Sequence, residues 1–120
     1  MVKRLVIAGC RKFNDYQALK EYVDFCISKV QKEYQIVVLS GGCAGADIMG
    51  ERYALERGLA VERYSADWKK YGRAAGPIRN EKMAQKADYV ICFWDGKSKG
   101  TASMIRYAQK YNKPLKIFKI

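Results

Sequence analysis

The sequence has no histidine among its 120 residues. This absence excludes histidine acid/base chemistry, Ser-His-Asp and Cys-His nucleophile activation, and the usual zinc ligand sets. Any catalysis has to use carboxylates, tyrosines, lysines or a bound magnesium ion. We name no cofactor and no metal ligand, and the composition leaves open whether the protein is an enzyme.

Long apolar runs and paired cysteine motifs are also missing. No run approaches the ~20 apolar residues of a membrane span, and the start "MVKRLVIAGC" is too short for a signal peptide. The cysteines stand at positions 10, 26, 43 and 92 without a CxxC spacing, which favours buried thiols in a reducing compartment. We therefore expect a cytoplasmic protein with no membrane partner.

Acidic residues are few, at 12 against 23 lysines and arginines, so the net charge is +11. The segment 96–120 contains basic residues and no acid at all. Such a charge attracts polyanions, including nucleic acid and phosphorylated metabolites. Lysines that only keep a small protein in solution explain the same excess equally well.

Apolar runs typical of buried strands alternate with segments of helical periodicity. We predict strands at 4–9, 36–40, 59–65, 88–94 and 115–120. We predict helices from a cap at Asn14 or Asp15 to Val30, over 46–57, from Pro77 to Lys86, and from a Thr101 cap to Tyr111, with a long loop over 66–76. This order predicts one α/β domain, residues 1–120, with a three-layer Rossmann-like architecture. Its five-stranded, mainly parallel sheet has the expected order 3-2-1-4-5.

Ligands of such sheets bind beyond the carboxyl ends of the strands, near the point where the strand order reverses. Glycines and polar or aromatic residues gather at these strand ends. The predicted ligand-binding residues are Gly9, Arg11, Ser40, Gly41, Gly42, Gly45, Asp47, Asp67, Trp68, Arg73, Arg79, Asn80, Trp94, Gly100 and Thr101. We expect one cleft to hold them.

The loop "SGGCAGAD" follows a strand and opens a helix, as does the later "GKSKGT". Glycines let the backbone approach an anion, and a helix N-terminus directs free N–H groups and a positive dipole end at it. The loop matches neither the Walker pattern nor GxGxxG. A tight strand-to-helix turn also explains its glycines, but two such loops converging on one cleft favour a phosphate site.

Asp47 and Glu51 lie four residues apart and share a helix face. Asp47 could bind a ribose hydroxyl or polarise a water molecule, or it could only favour the helix dipole. We consider both as candidate catalytic carboxylates, although Glu51 is better explained as the structural partner of an arginine.

The segment "GRAAGPIRNEKM" contributes Arg73, Arg79 and Asn80. A guanidinium pairs two-pronged with phosphate, and Asn80 could bind a base or sugar. Cations are unfavourable in a first helical turn, where we expect Arg79, so an anion nearby would explain it. Trp68 or Trp94 could stack on a purine, or cover the core.

The order of "AGCRKFND", "SGGCAGAD", "AAGPIRNEKM" and "KGTASMI" resembles the SLOG superfamily, and within it the small YspA/YpsA-related branch. The resemblance covers nearly the whole chain. It implies a Rossmann-like domain that recognises nucleotides or nucleotide-derived ligands, and dimers are common among such relatives. Wider relatives include lysine-decarboxylase-like phosphoribohydrolases and the DNA-processing protein DprA.

The hydrolase relatives carry PGGxGTxxE and a nearby arginine. Gly100, Thr101 and Arg79 match this pattern, but Met104 occupies the glutamate position. A thioether neither transfers a proton nor stabilises a cationic sugar, so Asp47, Glu51, Glu81 or Asp95 would have to substitute.

Three functions remain open at this point. The first is binding of a nucleotide-related small molecule. The second is cleavage of the N-glycosidic bond of a nucleoside monophosphate, and the third is binding of single-stranded nucleic acid.

Overall fold

The computed structural model describes all 120 residues. Its strands are β1 (Val2–Gly9), β2 (Gln35–Ser40), β3 (Ala60–Arg63), β4 (Tyr89–Trp94) and β5 (Leu115–Lys119). Its helices are α1 (Tyr16–Ile27), α2 (Val30–Glu33), α3 (Ala46–Arg57), α4 (Trp68–Tyr71), α5 (Ala75–Lys86) and α6 (Lys99–Lys110), with a 3₁₀ turn at Gly72–Ala74. None of the helices combines the length and the apolar character needed to cross a membrane.

All five strands pair in parallel in the order β3-β2-β1-β4-β5. In the central strand β1, Val6 pairs with Leu39 of β2 on one side and with Val90 of β4 on the other. The strands β2 and β3 are added on one side of β1, and β4 and β5 are added on its other side. The strand order therefore reverses between β1 and β4. The predicted Rossmann-like fold and strand order are confirmed.

Alternate residues of β1 belong to different cores. Leu5 and Ile7 pack in the core beneath α1 and α3, whereas Val6 and Ala8 pack in the core beneath α5 and α6. A parallel strand buried on both faces is apolar almost throughout, which is why its sequence shows no alternation. The two helix layers therefore leave the strand ends as the place for a site.

The first helix is shorter than predicted, because α1 ends at Ile27 and the chain continues as the separate turn α2. The hydroxyl of Ser28 donates a hydrogen bond to the carbonyl oxygen of Phe25. A serine that bonds to the nearby backbone competes with helix continuation.

Strand β3 is also shorter than the predicted 59–65. The N–H of Leu59 bonds to the carbonyl of Ala54, so Leu59 belongs to the end of α3 around Gly58, whose φ is 69°. Glycine at this position is typical of a left-handed helix terminus.

The predicted long loop over 66–76 is wrong. The carboxylate of Asp67 accepts from the N–H of Lys70 and starts α4, and α5 begins at Ala75, two residues before Pro77. Arg79 consequently lies in the second turn of α5. These elements are too short to show a hydrophobic period, so the pattern did not reveal them.

The predicted Thr101 cap is wrong as well. The cap of α6 is Ser98, whose hydroxyl oxygen accepts a long hydrogen bond from the N–H of Thr101, inside the helix. Either residue satisfies the usual cap chemistry, and sequence alone did not separate them. The expected dimer and the expected cytoplasmic location stay predictions.

Candidate functional site

A cavity of about 440 Å³, here called the first cavity, lies at the carboxyl ends of β1 and β4, where the strand order reverses. Parallel α/β sheets bind ligands at this place. The predicted ligand residues that line it are Gly9, Arg11, Asp47, Arg79, Asn80, Gly100 and Thr101. The structure therefore brings together residues from four separate segments of the chain.

Arg79 and Asn80 join the two glycine loops across this cavity. Nη1 of Arg79 donates to the carbonyl oxygen of Gly41 at 2.8 Å, and its Nε donates to Oδ1 of Asn80 at 3.0 Å. Nδ2 of Asn80 donates to the carbonyl oxygen of Gly100 at 3.2 Å. The side-chain oxygen and the side-chain nitrogen of Asn80 are thus both used within the protein. Asn80 therefore positions Arg79 and α6.

Asp47 is a buried carboxylate on the wall of the first cavity, with 7% of its surface exposed. Burial raises its pKa to about 6, although the N–H of Cys43 and the charge of Arg79 oppose this rise. The N–H of Cys43 donates to its Oδ2 at 3.3 Å. A carboxyl group with such a pKa can hold or release a proton near neutral pH, and perturbed groups of this kind concentrate at functional sites.

Glu51 is bonded through its carboxylate to other residues of the protein and has a structural role. Its carboxylate accepts from the hydroxyl of Ser40 at 2.6 Å and pairs two-pronged with Arg63, at 2.9 and 2.6 Å. The Arg63 guanidinium is the largest cause holding the pKa of Glu51 below its usual range. Glu51 lines neither this cavity nor its neighbour, and Ser40 is buried beneath the glycine loop.

Two glycines allow the loops after β1 and β2 to touch. Gly45 has a φ of 83°, and a Cβ there would overlap the carbonyl oxygen of Cys10. A Cβ on Gly9 would lie 2.5 Å from the carbonyl oxygen of Phe93 in β4 and 2.8 Å from Cβ of Ala46. These glycines serve the close approach of backbone to backbone.

Gly100 differs, because a Cβ built on it would meet no heavy atom within 4 Å. It is exposed, lines the first cavity and is the second residue of α6. A larger side chain at Gly100 therefore has room on the rim of the cavity without displacing the protein. Gly100 is thus a loop glycine at a helix N-terminus whose missing side chain leaves open space beside the backbone.

A second cavity of about 250 Å³ lies between the glycine loop and the segment after β3. It is lined by Gly41, Gly42, Arg63 and Trp68, and it shares Arg11, Cys43 and Arg79 with the first cavity. The side chain of Trp68 lies at its edge and the residue is 53% exposed. Trp68 therefore offers an uncovered aromatic surface.

Five predicted ligand residues line neither cavity: Ser40 and Gly45 of the glycine loop, and Asp67, Arg73 and Trp94. Asp67 caps α4, and Arg73 lies in the exposed 3₁₀ turn. Trp94 packs against the core beneath α5 and α6, and its indole N–H donates to the carbonyl oxygen of Ser98. The structure thus supports a packing role for Trp94.

Sequence reasoning missed Arg63, Lys12 and Ser98, which line one or other cavity. Arg63 ends β3 and Lys12 follows Arg11, so their place at carboxyl strand ends was a usable signal. Ser98 stands in "GKSKGT", where a serine before a helix is a typical cap.

Comparisons with known proteins identify relatives of this chain. The model of the YspA, cpYpsA-related SLOG family matches residues 3–71, more than half of the chain. The gene 61 protein of Mycobacterium phage D29 is 33% identical over 124 residues, which cover 95% of this chain and 94% of that protein.

Two solved DprA structures share the fold. DNA processing protein A of Helicobacter pylori, which has a unique single-stranded DNA binding mode, aligns over 96% of this chain with a TM-score of 0.68 and 25% identity. DprA of Streptococcus pneumoniae aligns over 98% with a TM-score of 0.72 and 18% identity, which shows the fold alone. The chain spans 64% and 50% of the length of these two proteins. The family match and the close relative show that this chain belongs to the YspA, cpYpsA-related SLOG family.

Proposed function

We propose that the first cavity binds a phosphorylated, nucleotide-related small molecule. The observation that carries this proposal is the bridge of Arg79 and Asn80, which holds both glycine loops around one cavity at the strand-order reversal. Arg79 and the start of α6 bind a phosphate group, and Asp47 accepts from the ribose hydroxyls.

The phosphate end of the site is supported by unpaired donors. The N–H groups of Lys99 and Gly100 begin α6 and make no hydrogen bond within the chain. Such groups, with the positive end of the helix dipole, favour an anion. Arg11 and Lys12 add positive charge to the same cavity, whereas the carboxylate of Asp95 already accepts from the N–H groups of Lys97 and Ser98.

A titration calorimetry panel of nucleoside monophosphates, nucleoside diphosphates, ADP-ribose and cyclic nucleotides tests this proposal. We expect at least one compound to bind with a Kd below about 1 mM. Gly100→Leu is expected to weaken that binding at least about tenfold, because the new side chain fills the phosphate end of the cavity. Its stability should not fall, because leucine is favoured over glycine in a helix by about 0.8 kcal/mol.

The matched control is Gln109→Leu, which places the same side chain on an exposed position of α6. This variant should bind as the parent does. Failure of every compound to bind, or unchanged binding by Gly100→Leu, would contradict the proposal.

A second candidate function is binding of single-stranded nucleic acid. It is favoured by the fold match to Helicobacter pylori DprA, which binds single-stranded DNA, together with the net charge of +11. In fluorescence anisotropy with a labelled oligonucleotide, the logarithm of the affinity should fall linearly with the logarithm of the salt concentration. Because such contacts use the outer basic surface, we expect Gly100→Leu to leave them unchanged. Salt-independent binding would exclude this candidate.

A further inference from the structure

The second cavity has an unusual distribution of charge. Arg11, Arg63 and Arg79 line it, and no aspartate or glutamate does. Arg63 alone among them has a carboxylate partner, Glu51, which lies outside the lining.

The other two arginine charges are not balanced by ion pairs. Arg79 donates to a backbone carbonyl and to the amide oxygen of Asn80, both uncharged groups, while Arg11 is exposed and forms no salt bridge. Asp47 attracts Arg79 but lines the first cavity only. A concave surface with uncompensated guanidinium groups raises the local concentration of anions.

The arginines border the glycine loop closely. A Cβ on Gly41 would lie 2.8 Å from Oδ2 of Asp47 and 3.0 Å from Nη1 of Arg79, and a Cβ on Gly42 would lie 3.2 Å from Nε of Arg63. Two guanidinium groups therefore lie beside the successive residues Gly41 and Gly42. Because both residues are glycines, no side chain separates the guanidinium groups from the backbone of the loop. Arg11 and Arg79 line both cavities, so an anion held in the first cavity has further donors next to it.

We propose that the second cavity binds the second of two linked phosphate groups, so that the ligand is a nucleoside diphosphate or a molecule containing that unit. This inference rests on the proposed function, which puts the nucleoside and the first phosphate in the first cavity. The guanidinium of Arg11 is free to pair two-pronged with phosphate oxygens. In Arg63, Glu51 uses Nε and Nη2, so Nη1 is the donor left for a phosphate oxygen. Adjacent phosphates linked through one oxygen match guanidinium groups that lie beside the successive residues Gly41 and Gly42.

Calorimetry with AMP, ADP, inorganic phosphate and pyrophosphate tests the inference. The parent is expected to bind ADP about tenfold more tightly than AMP, because a charge-assisted hydrogen bond contributes about that factor. Arg63→Gln changes a residue that lines the second cavity and not the first, and it also removes the partner of Glu51. This variant should lose the preference for ADP and keep its affinity for AMP. Arg11→Gln provides a second variant that leaves the pair of Arg63 and Glu51 intact, and it should also lower the ratio.

Arg106→Gln is the matched control, because Arg106 is exposed on α6 and lines neither cavity. It should keep the parental preference for ADP. Equal binding of AMP and ADP by the parent overturns the inference and leaves the proposed function intact.

If no compound of the nucleotide panel binds, the proposed function fails and the pyrophosphate titration decides the inference. Binding of pyrophosphate by the parent, and its loss in Arg63→Gln, would support the second cavity as a phosphate site. Absence of pyrophosphate binding by the parent would overturn the inference. A 5′-phosphorylated dinucleotide, whose phosphates are separated by a sugar, should bind less tightly than ADP. Tighter binding would assign the cavity to nucleic acid and overturn the inference.

Discussion

Gly45→Ala is expected to lower the free energy of unfolding by more than about 3 kcal/mol, the largest effect of any single change considered for this protein. The φ of Gly45 is 83°, a conformation that alanine adopts only with strain. In addition, the new Cβ would overlap the carbonyl oxygen of Cys10 and lie 2.7 Å from the carbonyl carbon of Arg11. The loops after β1 and β2 would have to separate, which would open the first cavity.

Urea unfolding followed by circular dichroism measures this change, and Gly100→Ala is the control. Gly100 has no heavy atom within 4 Å of its built Cβ and lies inside α6, so alanine should leave stability unchanged or raise it by up to about 1 kcal/mol. Equal unfolding midpoints for Gly45→Ala and Gly100→Ala would show that the loops do not need their close approach.

Asp47→Asn is expected to stabilise the protein at neutral pH by about 3 kcal/mol. Burial raises the pKa of Asp47 from 3.8 to about 6, so the folded protein binds this proton more tightly than the unfolded chain does. Ionised Asp47 is therefore a cost to folding at pH 7, and a neutral amide removes it. In the parent, the N–H of Cys43 donates a hydrogen bond to Oδ2 of Asp47. The amide oxygen of an asparagine at this position can accept the same hydrogen bond.

The pH dependence follows from the same pKa. Below about pH 4 the carboxyl group is protonated in both states, so the parent and Asp47→Asn should be close in stability. Between about pH 4 and pH 6 the parent loses stability, because the unfolded chain releases its proton first, and above that range the difference is constant. Urea titrations at several pH values measure it.

Asp95→Asn is the matched control for that experiment. The N–H groups of Ser98 and Lys97 lower the pKa of Asp95, which is opposite in sign to Asp47. Asp95→Asn should accordingly give no gain in stability at neutral pH. A pH-independent difference between the parent and Asp47→Asn, or none at all, would mean that Asp47 is not destabilised by its burial.

The same variant separates binding from hydrolysis. Met104, at the position of the hydrolase glutamate, lines the first cavity and is 1% exposed. Since a thioether cannot transfer protons, Asp47 is the carboxylate best placed to assist cleavage. Should the parent release free base from a nucleoside monophosphate, Asp47→Asn is expected to abolish that release, and an equally active variant would remove Asp47 from the reaction.

The fold could be predicted because its signals are local. The apolar run of β1 and the periodicity of α3 appear in short stretches, and right-handed crossovers leave few arrangements for such an order. The errors fell on short or terminal elements. α4 is one turn long and α1 ends at Ile27, and the side-chain hydrogen bonds of Asp67 and Ser28 at these points leave no period to detect.

The sequence predicted which residues would gather around the first cavity, but not the contacts that they make there. The strand-end rule correctly grouped Arg11, Asp47, Arg79 and Gly100 around one cavity. It also included Trp94, because residue type and strand end cannot tell which way a side chain points. The indole of Trp94 bonds to Ser98 and packs on the core.

By itself the sequence determined the order of strands and helices, the parallel sheet and the edge of the sheet where the first cavity lies, because hydrophobic spacing and chain chirality decide these. Only the tertiary structure decided that Asn80 is occupied by Arg79 and Gly100, that Asp47 is buried enough to change its pKa, and that Arg63 completes a second cavity. Each of these depends on distances between side chains from different segments, and such distances exist only once the sheet and both helix layers have packed.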